Sequence, residues 1–398
     1  MKKLAIFGGP PAFKEPKHVG RPNMADSKKI LHRFKEVLDS HWLTNNGRQV
    51  QQLEARICAA LDIPWCVAVA NGTLGLEIAA GALMPVLGEV IMPSFTFIAT
   101  PNALAWRGYT PIFADIDPDT HVLDPKDVER KITDHTVGIL GVHLWGTPCA
   151  PGQLATIAAK YRLALFFDAA HAFRCGPPWE RIGHYGNCEV FSFHATKFFN
   201  SIEGGALVTS STALAARFRR MRNFGFLGDG THTTSELGIN AKMSEFHAAV
   251  GLLNIEEMPR IITHNIQNYE LYREGLDSPL IWWYPIRNDS NFQYVVMKVL
   301  GDDLSADMLV KVLQAENILA RRYFSPPCHK MDPYNKRLWD LPVTEEVAYR
   351  TVVLPTGLAM SQEDVSKVCD VIRYCFAHIE EVNKADGKEK VSLPWKRD

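Results

Sequence analysis

Asp168-Ala169-Ala170-His171 and Phe191-Ser192-Phe193-His194-Ala195-Thr196-Lys197 each close a short apolar run, and together they decide how this chain is read. The first run, Leu163-Ala164-Leu165-Phe166-Phe167, ends in an acid. The second, Glu189-Val190-Phe191-Ser192-Phe193, leads into a lysine that lies twenty-nine positions after the acid. Runs of this length, rich in aromatic and branched residues and bounded by polar ones, predict strands. A carboxylate and an amine at the ends of two strands suit a site at the edge of a sheet.

Outward from this pair the chain alternates. Strand-like runs at 66–70, 89–92, 111–116, 136–143, 163–167 and 189–193 are separated by helical periodicity at 74–83, 96–106, 125–131 and 151–161, and 205–209 reads as one more strand. This rhythm predicts an α/β fold whose large domain is a mostly parallel central sheet covered by helices, followed by a smaller C-terminal α/β domain. The expected division is an N-terminal arm at 1–25, rich in Gly, Pro and Lys, a large domain at 26–255, a small domain at 256–385 and a charged tail at 386–398. The aperiodic, glycine-bearing stretch 224–240 predicts a long loop. Arg217, Arg219, Arg220 and Arg222 read as a solvated helix face in preference to a phosphate site.

Bulk properties narrow the function classes. A chain of 398 residues with 46% hydrophobic and 22% charged residues suits a globular enzyme of more than one domain. Its net charge of −1 gives no field to recruit nucleic acid or an anionic membrane. No apolar run approaches the roughly 18 residues of a membrane helix, and Leu4-Ala5-Ile6-Phe7 is too short for the apolar core of a signal peptide. The chain is therefore read as cytoplasmic. Its eight cysteines form no C-x-x-C pair, so free thiols are expected, with no disulfide framework and no metal site.

The chemistry lies in the order of several motifs. Lys197 stands among Phe193, Phe198 and Phe199, a setting that lowers an amine's pKa and makes it a nucleophile and proton carrier. Such a lysine can bond the aldehyde of pyridoxal phosphate (PLP), while Asp168 pairs with the pyridine nitrogen and keeps the ring an electron sink. Asn71-Gly72-Thr73 lies between a strand and a helix, where Gly72 allows close backbone approach and Thr73 adds a hydroxyl to an anion-favouring helix N-terminus. Ser192 offers a second hydroxyl near Lys197. In Pro93-Ser94-Phe95-Thr96-Phe97 an aromatic ring can lie flat on a cofactor. His171 falls three residues after Asp168, within reach of the cofactor's ring oxygen if the segment turns helical. Taken singly, each feature has an ordinary structural explanation. The joint order of phosphate loop, aromatic, Asp-x-x-His, Ser-x-x-x-x-Lys and Glu203-Gly204-Gly205 is far more specific.

Those stretches, with Trp42-Leu43-Thr44-Asn45-Asn46-Gly47 and Gly238-Ile239-Asn240-Ala241-Lys242-Met243-Ser244-Glu245, resemble the DegT/DnrJ/StrS sugar aminotransferases from about Trp42 to Pro355. The resemblance implies a fold-type I, aspartate-aminotransferase-like PLP enzyme with L-glutamate as amino donor. It implies that Lys197 carries the cofactor and shuttles the proton, Asp168 meets the ring nitrogen, His171 the ring hydroxyl, and Phe97 the ring face. Gly72, Thr73 and Ser192 would hold the phosphate. Asn240 would reach the phosphate of the neighbouring subunit, which implies a homodimer with its active site at the subunit interface. The chain departs from the family in having Arg48 where Pro is common and Lys242 where Arg is common, and an Arg-to-Lys change at a bidentate anion contact is not conservative. The runs around Lys197 and Asn240, with Ala320-Arg321-Arg322-Tyr323-Phe324, look most like family members that aminate dTDP-4-keto-6-deoxyglucose at C4 for surface polysaccharides or antibiotic sugars. Tyr323 and His329 are the substrate-site candidates. Alternatives are amination at C3 of a keto sugar, another keto sugar or cyclitol, or a non-catalytic PLP-binding regulator. Regulators of that kind carry a fused helix-turn-helix, for which residues 1–25 leave no room.

Overall fold

Seven of the apolar runs hydrogen-bond into one sheet in the computed structural model, which describes residues 3–177, 181–228, 230–231 and 233–384. Side by side lie Trp65–Val69, Gly205–Thr209, Cys188–Ser192, Ala164–Asp168, Thr136–Val142, Glu89–Pro93 and Thr110–Ala114. The last five pair in parallel, whereas Gly205–Thr209 is antiparallel to both its neighbours. The strands are buried almost throughout because helices cover both faces, which is why they read as continuous apolar runs and not as alternation. One face packs against Gly72–Leu83 and Ala99–Trp106.

Strand direction creates the site. Asp168 and Ser192 end neighbouring parallel strands and so emerge at the same sheet edge. Trp65–Val69 points the same way, because it is antiparallel to a strand that is itself antiparallel to Cys188–Ser192. Its exit, Asn71-Gly72-Thr73, therefore arrives beside Ser192. The helix there begins at Gly72, two residues earlier than the periodicity predicts, because the Asn71 side chain accepts the Leu74 N–H at 2.9 Å.

The C-terminal part is a three-stranded antiparallel sheet of Ile281–Trp283, Val295–Val299 and Thr351–Leu354, with helices Ala306–Ala315 and Gln362–Ala377 against it. The boundary expected at 256 falls inside one 31-residue helix, Glu245–Gly275. Its first half packs Ala248, Ile255 and Met258 beside the helix Arg48–Leu61, while Tyr272 enters the C-terminal core. A helix that buries different faces along its length has no single apolar stripe, and Pro259 breaks the pattern further. The N-terminal arm is docked on the C-terminal core. Leu4 and Phe13 are buried there, and the Glu316 carboxylate accepts the N–H groups of Ala5 and Ala12 at 2.6 and 2.7 Å. The tail 386–398 lies outside the described residues. Among the described residues no helix is long and apolar enough to cross a membrane.

The basic helix Thr212–Met221 and its cap are not a merely solvated face. Arg217 and Arg220 both bind Glu236, while buried Arg222 donates to Glu54 at 2.6 Å, to the Ala68 carbonyl and to Asn46 Oδ1. The arginines thus tie the 224–240 loop and the Trp42–Gly47 loop to the sheet.

A buried base sets one acid limit on stability. His121 is 1% exposed among Phe95, Trp282 and Tyr284, and neither ring nitrogen has a partner. Burial first, then Lys298, holds its pKa down to about 3. Between that value and about 6.5, the unfolded chain binds a proton that the folded chain does not. This contribution to stability is present above pH 6.5 and is lost as pH falls toward 3. His121→Asn suits the left-handed backbone here, φ 57°, and carries no titrating ring. Its urea midpoint should decline less steeply than wild type from pH 6.5 to 4. Parallel profiles would refute the assignment.

Candidate active site

The sheet edge opens into a cavity of about 610 Å³. Gly72, Thr73, Phe97, Asp168, His171, Ser192, Lys197 and Tyr323 all line it, from motifs spread over 250 positions. Trp65–Val69 and Cys188–Ser192 bring the Gly72-Thr73 turn and Ser192 to one end of it. A Cβ on Gly72 would stand 3.1 Å from that of Ser192, so a larger residue would push these strand ends apart. The first N–H groups of a 12-residue helix, free of intrahelical partners, and the two hydroxyls form a cradle for a phosphate.

At the floor, Asp168 is 7% exposed. Its Oδ2 accepts from Thr100 Oγ1 at 2.8 Å and its Oδ1 from the Ala170 N–H at 3.1 Å. Thr100 is tied in turn to Thr96 at 2.9 Å. Burial raises the carboxyl's pKa, against the pull of those bonds and of Lys197. Such a group gains from a buried cationic donor, and a protonated pyridine nitrogen is one. Lys197 is partly buried, and desolvation lowers its pKa to about 8, with Asp168 opposing the shift. An amine so tuned reaches its free base far more readily near neutral pH than an ordinary lysine does. Its backbone N–H bonds the His194 carbonyl at 2.9 Å, which closes the turn that aims it inward.

His171 is buried, and its Nδ1 has no partner in the protein. Its ring stacks on Trp145 at 5.5 Å between centroids and 21° between planes, and it leans on Tyr294 at 4.7 Å. That nitrogen is shut off from solvent, so it is the edge of the ring lining the cavity that a ring oxygen of a ligand can approach. A cavity lined by a histidine ring, a buried acid, a lysine and a helix N-terminus flanked by two hydroxyls fits PLP. Of the two candidate aromatics, Phe95 is fully buried against Trp145 and Phe324, whereas Phe97 is 59% exposed at the cavity.

Two sequence candidates lie elsewhere. His329 is not among the lining residues. It is 2% exposed, with Nδ1 2.7 Å from Ser94 Oγ and Nε2 3.3 Å from Glu345 Oε1. Its neighbours from β-strand end and helix enclose the ring, so it does not face the ligand space. Asn240 is exposed, outside the cavity, in a bridge with Asn223. Lys242 donates to Asn223 Oδ1 at 3.1 Å and sits over Phe224.

The sequence reading missed Thr100, Trp145 and Tyr294, and it quoted Phe324 and Glu203 within their motifs without giving either a place in the site. Thr100 follows Thr96 by one helical turn, a spacing that could have signalled it. Tyr294 and Phe324 come from the C-terminal part, and no local pattern links them to Asp168.

Residues 24–373 match the DegT/DnrJ/EryC1/StrS aminotransferase family. A dTDP-4-amino-4,6-dideoxy-D-glucose transaminase of Shigella dysenteriae is 35% identical over 367 residues, covering 91% of this chain and 99% of that protein. A crystal structure of DesI in the presence of its TDP-sugar product superposes with a TM-score of 0.91 at 44% identity, covering 97% of this chain and 99% of the other. A putative PLP-dependent aminotransferase of Bacillus cereus matches with a TM-score of 0.83 at 28% identity, covering 90% and 100%.

Proposed function

As this chain belongs to the DegT/DnrJ/EryC1/StrS aminotransferase family and is a PLP-dependent aminotransferase, we propose that it moves the amino group of L-glutamate to C4 of dTDP-4-keto-6-deoxyglucose. The product is dTDP-4-amino-4,6-dideoxyglucose. The observation that carries the reading is the convergence of Lys197, Asp168, His171 and the Gly72–Thr73–Ser192 cradle on one cavity. The kinship with a transaminase of that name and with a TDP-sugar-binding structure supports the choice of sugar.

Bound here, PLP supplies an aldehyde and a ring that stabilises negative charge on the carbon losing its proton. The protein does the rest. Gly72 and Thr73 N–H groups, with the Thr73 and Ser192 hydroxyls, bind the phosphate. Asp168, held by Thr100, keeps a proton at the ring nitrogen. His171 would meet the ring oxygen, and Phe97 would cover the ring. Lys197 would take the proton from the donor's α-carbon and deliver it to the carbon that had been the cofactor's aldehyde. The same amine, run in reverse, serves the keto sugar. Asn240, exposed and outside its own cavity, acts in this reading on the phosphate in a neighbouring subunit of a homodimer, with Lys242 beside it.

The test supplies purified protein with PLP, L-glutamate and dTDP-4-keto-6-deoxyglucose, with product identified by mass and NMR. A 4-amino-4,6-dideoxy sugar is expected. Loss of the glutamate amino group with no change in this sugar would overturn the substrate, and a 3-amino product its regiochemistry.

A further inference from the structure

The segment from Ala320 to Leu341 supplies one wall of the cavity, through Tyr323 and Phe324, yet little regular structure holds it. Between strand and helix it contains two single-turn 3-10 pieces, Cys328–Lys330 and Tyr334–Lys336. Its anchors converge on the loop that supplies the opposite wall. The Cys328 N–H donates to the Ser94 carbonyl at 3.0 Å, and its thiol to the Thr96 carbonyl at 3.3 Å. The His329 N–H donates to Ser94 Oγ at 2.9 Å. Ser94 Oγ in turn lies 2.7 Å from His329 Nδ1, and His329 Nε2 lies 3.3 Å from Glu345 Oε1. Tyr334 Oη donates to Asn102 Oδ1 at 2.7 Å.

The roles within this chain follow from donor counting. The Glu345 carboxylate can only accept, so the neutral ring leaves Nδ1 as the acceptor of the Ser94 hydroxyl hydrogen, while Ser94 Oγ accepts from the His329 backbone. The ring proton then sits on Nε2 and goes to Glu345, which Lys330 also pairs at 2.8 Å. Serine, histidine and glutamate stand in a row as in a hydrolase triad, but Ser94 is fully buried and its hydroxyl cannot meet a substrate. The row instead joins two segments. On one side the Ser94 loop runs on to Thr96 and Phe97, and Thr96 continues through Thr100 to Asp168. On the other, the His329 segment begins with Phe324, stacked on Trp145 at 5.8 Å and on His171 at 6.1 Å.

We propose that His329 is a positioning residue which, through Ser94 and Glu345, locks the Tyr323–Phe324 wall at a set distance from the Phe97 wall and so sets the fit of the large keto-sugar substrate. Glutamate is small and needs only the floor of the cavity, whereas the sugar nucleotide needs both walls. The effect on the sugar rests on the substrate proposed above; the effect on the segment does not.

Two variants separate the possibilities. His329→Leu keeps bulk but leaves the buried Ser94 hydroxyl without its acceptor. His329→Asn keeps an acceptor close to the Nδ1 position. In His329→Leu, KM for dTDP-4-keto-6-deoxyglucose should rise on the order of tenfold, the cost of one orphaned buried hydroxyl. The half-reaction with glutamate should stay within about twofold, and His329→Asn should restore most of the KM. Amide hydrogen exchange, followed on the PLP-loaded enzyme, should accelerate at 321–334 in His329→Leu and be unchanged at 164–168. Unaltered exchange at 321–334 overturns the proposal whatever the substrate. Equal losses in both half-reactions, or failure of His329→Asn to recover, also overturn it in favour of a general structural role. If wild type reacts with glutamate but not with this sugar, the substrate is wrong and the exchange result alone decides the role of His329.

Discussion

Lys197→Ala is expected to lower turnover by about 10⁴-fold while leaving the melting temperature within a few degrees of wild type. In the proposed reaction the lysine serves twice, as the amine that bonds the cofactor and as the base that moves a proton, and positioned proton transfer alone is worth roughly 10²–10⁴. Among the described residues no other amine lines the cavity to replace it, since its remaining basic members are His171 and His194. Burial holds His171 well below its ordinary pKa, with Lys197 adding to the shift. Among the described residues the Lys197 side chain is held by the distant charge of Asp168 and not by a close ion pair, so its loss should cost the fold little. A second readout needs no substrate. After borohydride reduction with PLP, mass spectrometry should find the cofactor on the Lys197 peptide of wild type and on no peptide of the variant. Retained turnover without added amine, or label on another lysine, would remove Lys197 from the mechanism.

Asp168→Ala is expected to cost about 10³-fold in kcat with a smaller effect on glutamate KM, the scale seen when one preorganised electrostatic partner is removed from a closed site. The carboxylate is the acidic group at the cavity floor. The other acid lining the cavity, Glu203, is half exposed and lies 3.6 Å from His194 at the margin. Removing Asp168 also strands the Thr100 hydroxyl, so the melting temperature and PLP affinity must be measured alongside. Thr100→Val supplies the graded comparison. It keeps the acid but frees Oδ2 from its partner, and kcat should fall by about tenfold or less, in line with one hydrogen bond to a charged group. An Asp168→Ala enzyme with near-normal kcat would show that the ring nitrogen needs no carboxylate here.

Much of this site was legible because its chemistry is local. Asp168, Ser192 and Lys197 announce themselves as polar residues ending apolar strands. Asn71-Gly72-Thr73 announces itself as a turn into a helix. In a mostly parallel sheet all such ends lie on one edge, so a one-dimensional rhythm already implied a shared site. Boundaries were weaker. The helix after Pro93 begins at Ala99 and not at Thr96, which leaves Thr96 and Phe97 in the loop that reaches the cavity. The docked arm and the helix that runs from 245 to 275 were hidden because their burial depends on partners far away in sequence.

What the sequence by itself determined is the α/β layering, the amine and acid near neighbouring strand ends, the Asn71-Gly72-Thr73 turn into a helix and the family. These rest on backbone direction and short-range spacing, which neighbouring residues specify among themselves. What only the tertiary structure decided is which side chains complete and brace the cavity. Thr100 beneath Asp168, Trp145 against His171, Tyr294 and Phe324 in the wall, and His329 turned toward Ser94 instead of the ligand all depend on contacts between distant segments. Ser94 and His329 are 235 positions apart, and a bond of 2.7 Å between them exists only after two separate parts of the fold have packed. No propensity or period in the chain encodes that distance, because it is set by how side-chain volumes fill the space between the packed elements.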